Sequence, residues 1–346
     1  MNIIKDYNKH MNYFLKNKYN GTIIFVYNDY NTYPSCEPHI EECYNDYEIQ
    51  EVYDSFSKIF QKVILCPSEK AFIELIPKLE DKNNIYVYTM AQNVSGYSRR
   101  ALIPALCEYY GFININADTY SSVIGVNKKT TYNLLVNYKQ YLPYTFFIDN
   151  NNINKLTLLL RNSSERVIVK PDCESCCIDT KVFNRKHFQE IELYCLELLK
   201  KYTFLIIQDF ILGEELGVTI IKYNNEYYSL SPVKLEYLNG KDYLTNLDSR
   251  YNNFTLTPLE EFSELEKLTI QIAKELGFSG VSRFDYKLDK NNNYYLFDIS
   301  PNPTITGGSS CNLAFKKKFN SDNEGIYQFL AISAILFKPS FNSTKH

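Results

Sequence analysis

The chain has 346 residues, 45% of them hydrophobic, and a formal charge of −3 from 37 basic and 40 acidic side chains. That length and apolar content can bury a large core, which excludes disorder and predicts roughly two or three domains. The even mixture of charges excludes a duplex-binding face or a polybasic membrane anchor and leaves room for a small charged ligand.

Nine cysteines, with no cationic and apolar leader over 1–21, predict free thiols in a reduced cytoplasmic protein. From 22 to 116 the strands TIIFVYN, KVILC, IYVYTM and GFINI are separated by helices predicted over 46–60, from Glu69, and over 98–110. The alternation predicts a parallel α/β layer. No glycine-rich dinucleotide fingerprint follows any of these strands, which argues against a nicotinamide or flavin site of the usual kind. Residues 118–202 contain a helix starting near Lys128, the strand RVIVKP and a helix over 185–201. A third part runs from FLIIQDFILGEE to the C-terminus, where the apolar run 329–337 is well short of the roughly 20 residues that cross a bilayer and predicts a core helix. There is no internal repeat.

Lys170 ends the strand VIVK, and the proline after it favours an extended backbone. A lysine placed there is either a point charge for a phosphate or an ordinary strand-end surface lysine. The segment FLIIQDFILGEELGVTII reads as two buried strands joined at Gly213, with Glu214 and Glu215 at the joint. A carboxylate there accepts paired hydrogen bonds from a vicinal diol such as a ribose, or merely marks a charged bend. In the second part, the cysteines Cys173, Cys176 and Cys177 lack the second ligand pair that a structural zinc site requires. His187 is the only nearby histidine, with no recognisable partner set for a nucleophilic thiolate, so these cysteines read as small loop fillers.

Residues 281–300 form a hairpin candidate around the polar turn DKNNN. Val281, Arg283, Asp285 and Lys287 share one face. Pairing Leu288 with Tyr295 sets Asp285 opposite Asp298, on the side of the sheet that carries Arg283 and Ser300. Like charges facing each other across a sheet destabilise it unless a cation lies between them. Mg²⁺ held by one or two carboxylates, water and substrate phosphates resolves the conflict, with Asn302 as a further oxygen ligand. A solvated hairpin edge with two surface acids is the alternative.

These signals, in this order and spacing, resemble the ATP-grasp superfamily, and within it the D-alanine-D-alanine ligase-like carboxylate-amine ligases. The likeness spans about 88–310 through LCEYYGF, VNKKTTYNLL, LPYTFF, RVIVKPDCESC, LIIQDFILGEEL, LDSRY and GFSGVSRFDYKLDKNNNYYLFDISPNPTIT. It implies an α/β (α+β) ATP-grasp fold: an N-terminal parallel α/β domain over 1–117, then two α+β subdomains, over 118–204 and 205–346, that sandwich the nucleotide. By resemblance Lys128 and Lys170 contact its phosphates, with Glu174 among the nucleotide-binding residues. Gln208, Asp209, Phe210 and Ile211 match the segment that meets adenine, and Glu215 the ribose acid. Asp285 and Asp298 match the metal-bridging acids, with Ser300 and Asn302 as further ligands. Arg283 resembles the arginine that steadies the acyl phosphate, Arg250 lies on a loop that closes over the γ-phosphate, and Ser309 joins the catalytic set.

The implied activity is an ATP- and Mg²⁺-dependent (or Mn²⁺-dependent) ligation of a small carboxylic acid to an amine, amino acids among the candidates, through an acyl phosphate with release of ADP and phosphate. The implied setting is cytoplasmic, without nucleic-acid or membrane partners, with a homodimer through the N-terminal domain among the expectations. A catalytically impaired nucleotide-binding accessory protein and a divergent true D-alanine-D-alanine ligase are the alternatives. Three departures stand out. The family's Glu-Gly-Ser-Ser-x-Gly turn is Glu174-Ser175-Cys176-Cys177-Ile178-Asp179 here, and its third metal ligand, an Asn, is Ser300. Its N-terminal glycine-rich turn with an amine-binding Glu is not recognisable in VYNDYNTYPSCEPHIEE. Neither the acid nor the amine is named by the sequence.

Overall fold

A computed structural model describes residues 3–32, 39–80, 84–92, 96, 99–238, 240–260 and 262–337. Three sheets follow one another along the chain. The first is parallel, in the order β2 (Phe60–Cys66), β1 (Tyr19–Val26), β3 (Ile85–Thr89), β4 (Ile113–Asn114). Its central strands are buried on both faces, as the continuous apolar run of β1 requires of a strand covered by helices on either side. The helix Asp46–Ser57 begins where the sequence predicts because Asn45 and Glu48 form a reciprocal cap. It stops short of 60, since Phe60 already belongs to β2. The helix predicted over 98–110 is observed as Leu102–Tyr110; Ser98 lies outside the described residues.

The second sheet is antiparallel, in the order β5 (Thr145–Ile148), β8 (Leu205–Asp209), β6 (Arg166–Pro171), β7 (Lys181–Asn184). Its apolar cluster is formed by residues of this segment alone, among them Phe146, Leu160, Val169, Ile191 and Ile207. The third sheet runs β12 (Phe254–Pro258), β11 (Val233–Tyr237), β9 (Glu214–Tyr223), β13 (Val281–Leu288), β14 (Tyr294–Ser300), with β10 (Glu226–Ser229) also paired to β9. The largest cluster joins the first sheet to the C-terminal part. Tyr7, Phe25, Phe56 and Tyr88 pack with Tyr223, Phe315 and the all-round apolar helix Gly325–Leu336, which contains most of the predicted core run. The N-terminal helix Ile3–Lys16 and the strands β10–β12 had no counterpart in the sequence reading. No helix among the described residues is long and apolar enough to cross a membrane.

Two features of this frame yield tests. Gly125, in the helix Thr119–Val126, lies against Pro301 just after β14; a Cβ on it would fall 1.9 Å from Pro301 Cγ. Gly125→Ala is expected to cost about 1–3 kcal/mol through overpacking, outweighing the roughly 1 kcal/mol of helix propensity that alanine gains. Calorimetry should show a lower Tm, and an unchanged Tm would mean that the contact yields.

Asp172, directly after β6, is 0% exposed, and among the described residues neither of its carboxylate oxygens has a hydrogen-bond partner of ordinary geometry. Burial pushes its pKa up to about 6. A carboxyl whose pKa rises on folding carries no penalty below its unfolded value, near 3.9, and the full penalty once the pH has passed the folded value. Asp172→Asn should therefore gain stability over the native protein between pH 4 and 7, on the order of 2 kcal/mol, read from urea melts at both ends. A difference that does not change with pH would remove the buried charge as its source.

Candidate functional site

The hairpin β13–β14 forms with Asp285 opposite Asp298, but the register slips next to that pair: Tyr286 faces Leu296, and Leu288 faces Tyr294 instead of Tyr295. Phe297 is the extra residue of a β-bulge. The bulge reverses the alternation, so Leu296 and Ile299 enter the apolar core on either side of Asp298. It also exposes the carbonyl of Phe297 to two donors, Tyr132 Oη at 3.1 Å and Lys170 Nζ at 3.2 Å.

Lys170 is 7% exposed, which removes the surface-lysine reading. Its burial, reinforced by the neighbouring Lys128 charge, lowers its pKa from the ordinary lysine range against the pull of Asp298. Lys128 opens the helix Lys128–Leu134, where the Asn127 side chain accepts from Thr130 N at 2.8 Å and the Lys128 amide donates to the Asp172 carbonyl at 2.9 Å. Its ammonium donates to the Glu174 carbonyl at 2.6 Å and lies 3.7 Å from Asp298 Oδ1.

The Asp298 side chain is 34% exposed. Desolvation raises its pKa, yet Lys128, Lys170 and Arg283 together hold it below the ordinary carboxylate range. Asp285 is gripped by Arg283 through two hydrogen bonds, Nε to Oδ1 at 2.7 Å and a terminal nitrogen to Oδ2 at 2.9 Å. Burial pushes the Asp285 carboxyl up, and Arg283 opposes that push. The cation that the facing acids require is therefore supplied in part by the protein. Both acids offer oxygen only, on adjacent strands and with one side open to the cleft, which suits a hard divalent ion completing its shell from phosphate oxygens. Among the described residues no group of three His, Cys, Asp or Glu side chains could hold a metal ion by itself.

Ser300 ends β14 opposite Arg283, on the same face. Asn302 is different: its amide oxygen accepts from Asn116, and its amide nitrogen donates to the Thr89 carbonyl at 3.2 Å. It braces the end of β3, so the expectation of Asn302 as a metal ligand is corrected. Ser309 caps the helix Ser310–Phe319, accepting from Asn312 N at 3.3 Å. Arg250 ends the short helix Asn246–Arg250, whose segment touches the loop after β6 through Asn246 Nδ2 and the Cys176 carbonyl at 2.9 Å.

Gln208 is paired within the second sheet, and its side chain donates to Tyr132 Oη and, at 3.0 Å, to Thr145 Oγ1. The Asp209 amide donates to the Tyr144 carbonyl and the Phe210 amide to the Arg166 carbonyl, and Asp209 Oδ1 accepts from Ser164 N. Phe210 and Ile211 border a cleft of about 840 Å³ shared with Arg166, Gly213, Leu288 and Tyr295. Glu215 lies 3.0 Å from Lys287 Nζ and accepts from Tyr237 Oη.

The loop after β6 carries three left-handed residues, of which Asp179 stands where the resemblance expects a glycine. Cys176, Cys177 and Asp179 adopt φ of 50°, 56° and 50°, left-handed values that cost a residue with a Cβ about 1–2 kcal/mol each. Burial pushes the Cys177 thiol up to about 12, against the thiolate that nucleophilic chemistry needs. Glu174 turns its carboxylate toward Arg99, at 3.4 Å, and offers Lys128 only its carbonyl. Beside it, Ser175 donates to Glu42, which also accepts from Arg100 at 2.7 Å. Glu42, Arg99, Arg100, Tyr132 and Lys287 were not singled out from the sequence as site residues. Only Lys287 carried a signal, its place on the face of Asp285.

With that geometry in view, the likenesses to known proteins are informative. The model of the family described as D-ala D-ala ligase C-terminus matches residues 141–322, more than half of the chain. A D-alanine--D-alanine ligase of Francisella tularensis subsp. tularensis is 26% identical over 244 residues, covering 68% of this chain and 76% of the relative. In fold, the chain is similar to the Bacillus anthracis D-alanine--D-alanine ligase solved with ATP, with a TM-score of 0.67, 15% identity, and coverage of 93% and 99% of the two chains. The VanG D-Ala:D-Ser ligase of Enterococcus faecalis gives a TM-score of 0.67 at 16% identity, covering 90% and 99%. The two converging lysines, the facing acids and the family match over the segment that carries most of them lead to one assignment: the chain belongs to the D-ala D-ala ligase C-terminus family and is an ATP-grasp ligase that forms carbon–nitrogen bonds at the expense of ATP.

Proposed function

We propose that the protein activates the carboxylate of a small acid as an acyl phosphate and passes the acyl group to an amine. The observation that carries this reading is the meeting of Lys128, Lys170 and Arg283 with Asp285 and Asp298, on a sheet whose neighbouring strand β9 carries Glu215 two residues from Gly217, the partner of Asp285, while Phe210 and Ile211 border the cleft of about 840 Å³. In this reading a nucleotide lies along the cleft, its base at Phe210 and Ile211, its ribose near Glu215 and its phosphates between the lysines and the acids. Asp285 and Asp298, with Ser300 at the edge, would hold Mg²⁺ or Mn²⁺, which when bound neutralises the acids and the phosphate oxygens. The domain limits 1–117, 118–204 and 205–346 belong to the same proposal, as does a homodimer through the first sheet.

The chemistry asks the protein for position and charge, with no covalent help. A carboxylate oxygen of the acid attacks the terminal phosphorus, and the bond from that phosphorus to the ADP oxygen breaks. The amine nitrogen then attacks the acyl carbon, inorganic phosphate leaves, and the nitrogen gives up its proton. Lys128 and Lys170 are fixed by carbonyls of Glu174 and Phe297, so they meet the phosphates already oriented. Arg283, held in line by Asp285, is placed to stabilise charge on the acyl phosphate.

With MgATP, an acid panel and hydroxylamine, the expected products are a hydroxamate and ADP; AMP with pyrophosphate would sink the mechanism. MgATP or MgADP at millimolar concentration should also raise the Tm by mass action. Asp298→Asn keeps the shape of the side chain while removing its charge. Its expected outcome is a loss of hydroxamate formation of about a hundredfold or more, the scale of a deleted electrostatic group in a closed site, with metal-free nucleotide binding retained in calorimetric titration. Near-normal turnover would take Asp298 out of the reaction.

A further inference from the structure

On the side of the third sheet away from Val218, Phe284 and Leu296, the register sets side chains in rows. Thr219, Arg283 and Ser300 form one row, and Gly217, Asp285 and Asp298 the next. In the row after that, Glu215 on β9 faces Lys287 on β13. Alternate residues of a strand lie about 7 Å apart, so Lys287 stands one row from the facing acids and on their side of the sheet. It is 7% exposed. Its ammonium donates to Tyr237 Oη and lies 3.0 Å from Glu215 Oε2, the same oxygen to which Tyr237 donates. An ammonium has three N–H groups, and among the described residues the third of Lys287 meets no acceptor. The charge is turned toward the lysines of the site: the Phe297 ring has Lys287 Nζ 5.9 Å and Lys170 Nζ 5.8 Å from its centre.

An ion pair that merely ties β9 to β13 is the plain alternative. Burial makes it a poor tie, because two buried ions seldom stabilise more than an apolar pair of the same size. What Lys287 changes is the balance of charge. Lys128, Lys170 and Arg283 match Glu215, Asp285 and Asp298 one for one, and Lys287 is the cation in excess. The Cys177 thiol feels Glu215 and Asp298 together with Lys170 and Lys128, so both rows of acids and both phosphate lysines close on one side chain. In the ligase reading the ribose lies near Glu215, and the metal held by Asp285 and Asp298 takes the terminal phosphates. The α-phosphate is bonded to the ribose on one side and to the β-phosphate on the other. It therefore crosses from the row of Glu215 to the row of Asp285, beside Lys287.

We propose that Lys287 is a third nucleotide-binding lysine: steadied by Glu215 and Tyr237, it gives its remaining N–H to the α-phosphate. The inference rests on the ligase reading and adds a residue to its binding site. The test measures adenosine, AMP and ADP by displacement of radiolabelled ADP in equilibrium dialysis, in metal-free buffer. In Lys287→Met, which keeps the length of the side chain without its charge, AMP and ADP should weaken by the same factor, about tenfold or more, the lower end of what hydrogen bonds to charged groups contribute. Adenosine should be unchanged, and Lys287→Arg should recover most of the loss. Because Lys287→Met also leaves Glu215 without its cation, the comparison is repeated between Glu215→Gln and Glu215→Gln/Lys287→Met, where the same loss on AMP is expected. A loss that vanishes in that background would overturn the inference, since the lysine would then only mask Glu215. Adenosine weakened as much as AMP, or ADP weakened and AMP not, would also overturn it. Should Lys287→Met not fold, the double variant, which removes both ions of the pair together, carries the comparison, and a wild type that holds adenosine as tightly as AMP overturns the inference without any variant. All of these leave the ligase intact; a wild type that binds none of the three, with or without Mg²⁺, would overturn both.

Discussion

Two carboxylates set opposite each other on neighbouring strands are a source of repulsion that a sheet does not tolerate unaided. Much of the cleft can be understood as the answer to that single constraint. Asp285 is answered along its own strand by Arg283, and Asp298 across the cleft by Lys128 and Lys170. The answer is incomplete by design of the geometry: Asp298 keeps an open side, so negative charge remains where cationic ligands and phosphates are to be arranged. A site fully neutralised by its own side chains would have nothing left with which to bind.

The β-bulge makes the arrangement compatible with a packed interior. In regular alternation Leu296 would share the cleft face with Asp298; the extra residue at Phe297 sends Leu296 inward, to the face that Ile299 already occupies, and leaves Asp298 outward. It also converts a ladder carbonyl into an acceptor for Tyr132 and Lys170. One inserted residue thus satisfies packing and polarity together.

The sequence made some of this legible and hid the rest for physical reasons. The facing of Asp285 and Asp298 could be counted outward from a polar turn, since strand alternation is a short-range rule. The bulge could not, because Phe297 carries neither the glycine nor the polar character that marks many irregularities. Lys170 could be read from the strand it ends, but whether it was buried depended on β14, more than a hundred residues away. Asn302 between two prolines looked like a ligand, whereas its partners Asn116 and Thr89 come from the first part of the chain. Glu42 lies in a non-repetitive excursion after β1, where no periodicity points to a partner, and its meeting with Ser175 is purely tertiary.

The separateness of the central cluster has a mechanical consequence. Its apolar residues are drawn from its own segment, while the first and third parts share one interior. The ties between the central sheet and its surroundings include Lys170 on the Phe297 carbonyl, Lys128 on Glu174, the Arg166 pair with Asp242, and Asn246 on Cys176. Polar ties of this kind can be exchanged for water at modest net cost, whereas parting a shared apolar interior exposes surface that water disfavours. The softest mode expected of this packing is therefore a swing of the central sheet against the interior shared by the first and third parts, held by polar ties of which the Arg166–Asp242 pair loosens as ionic strength rises.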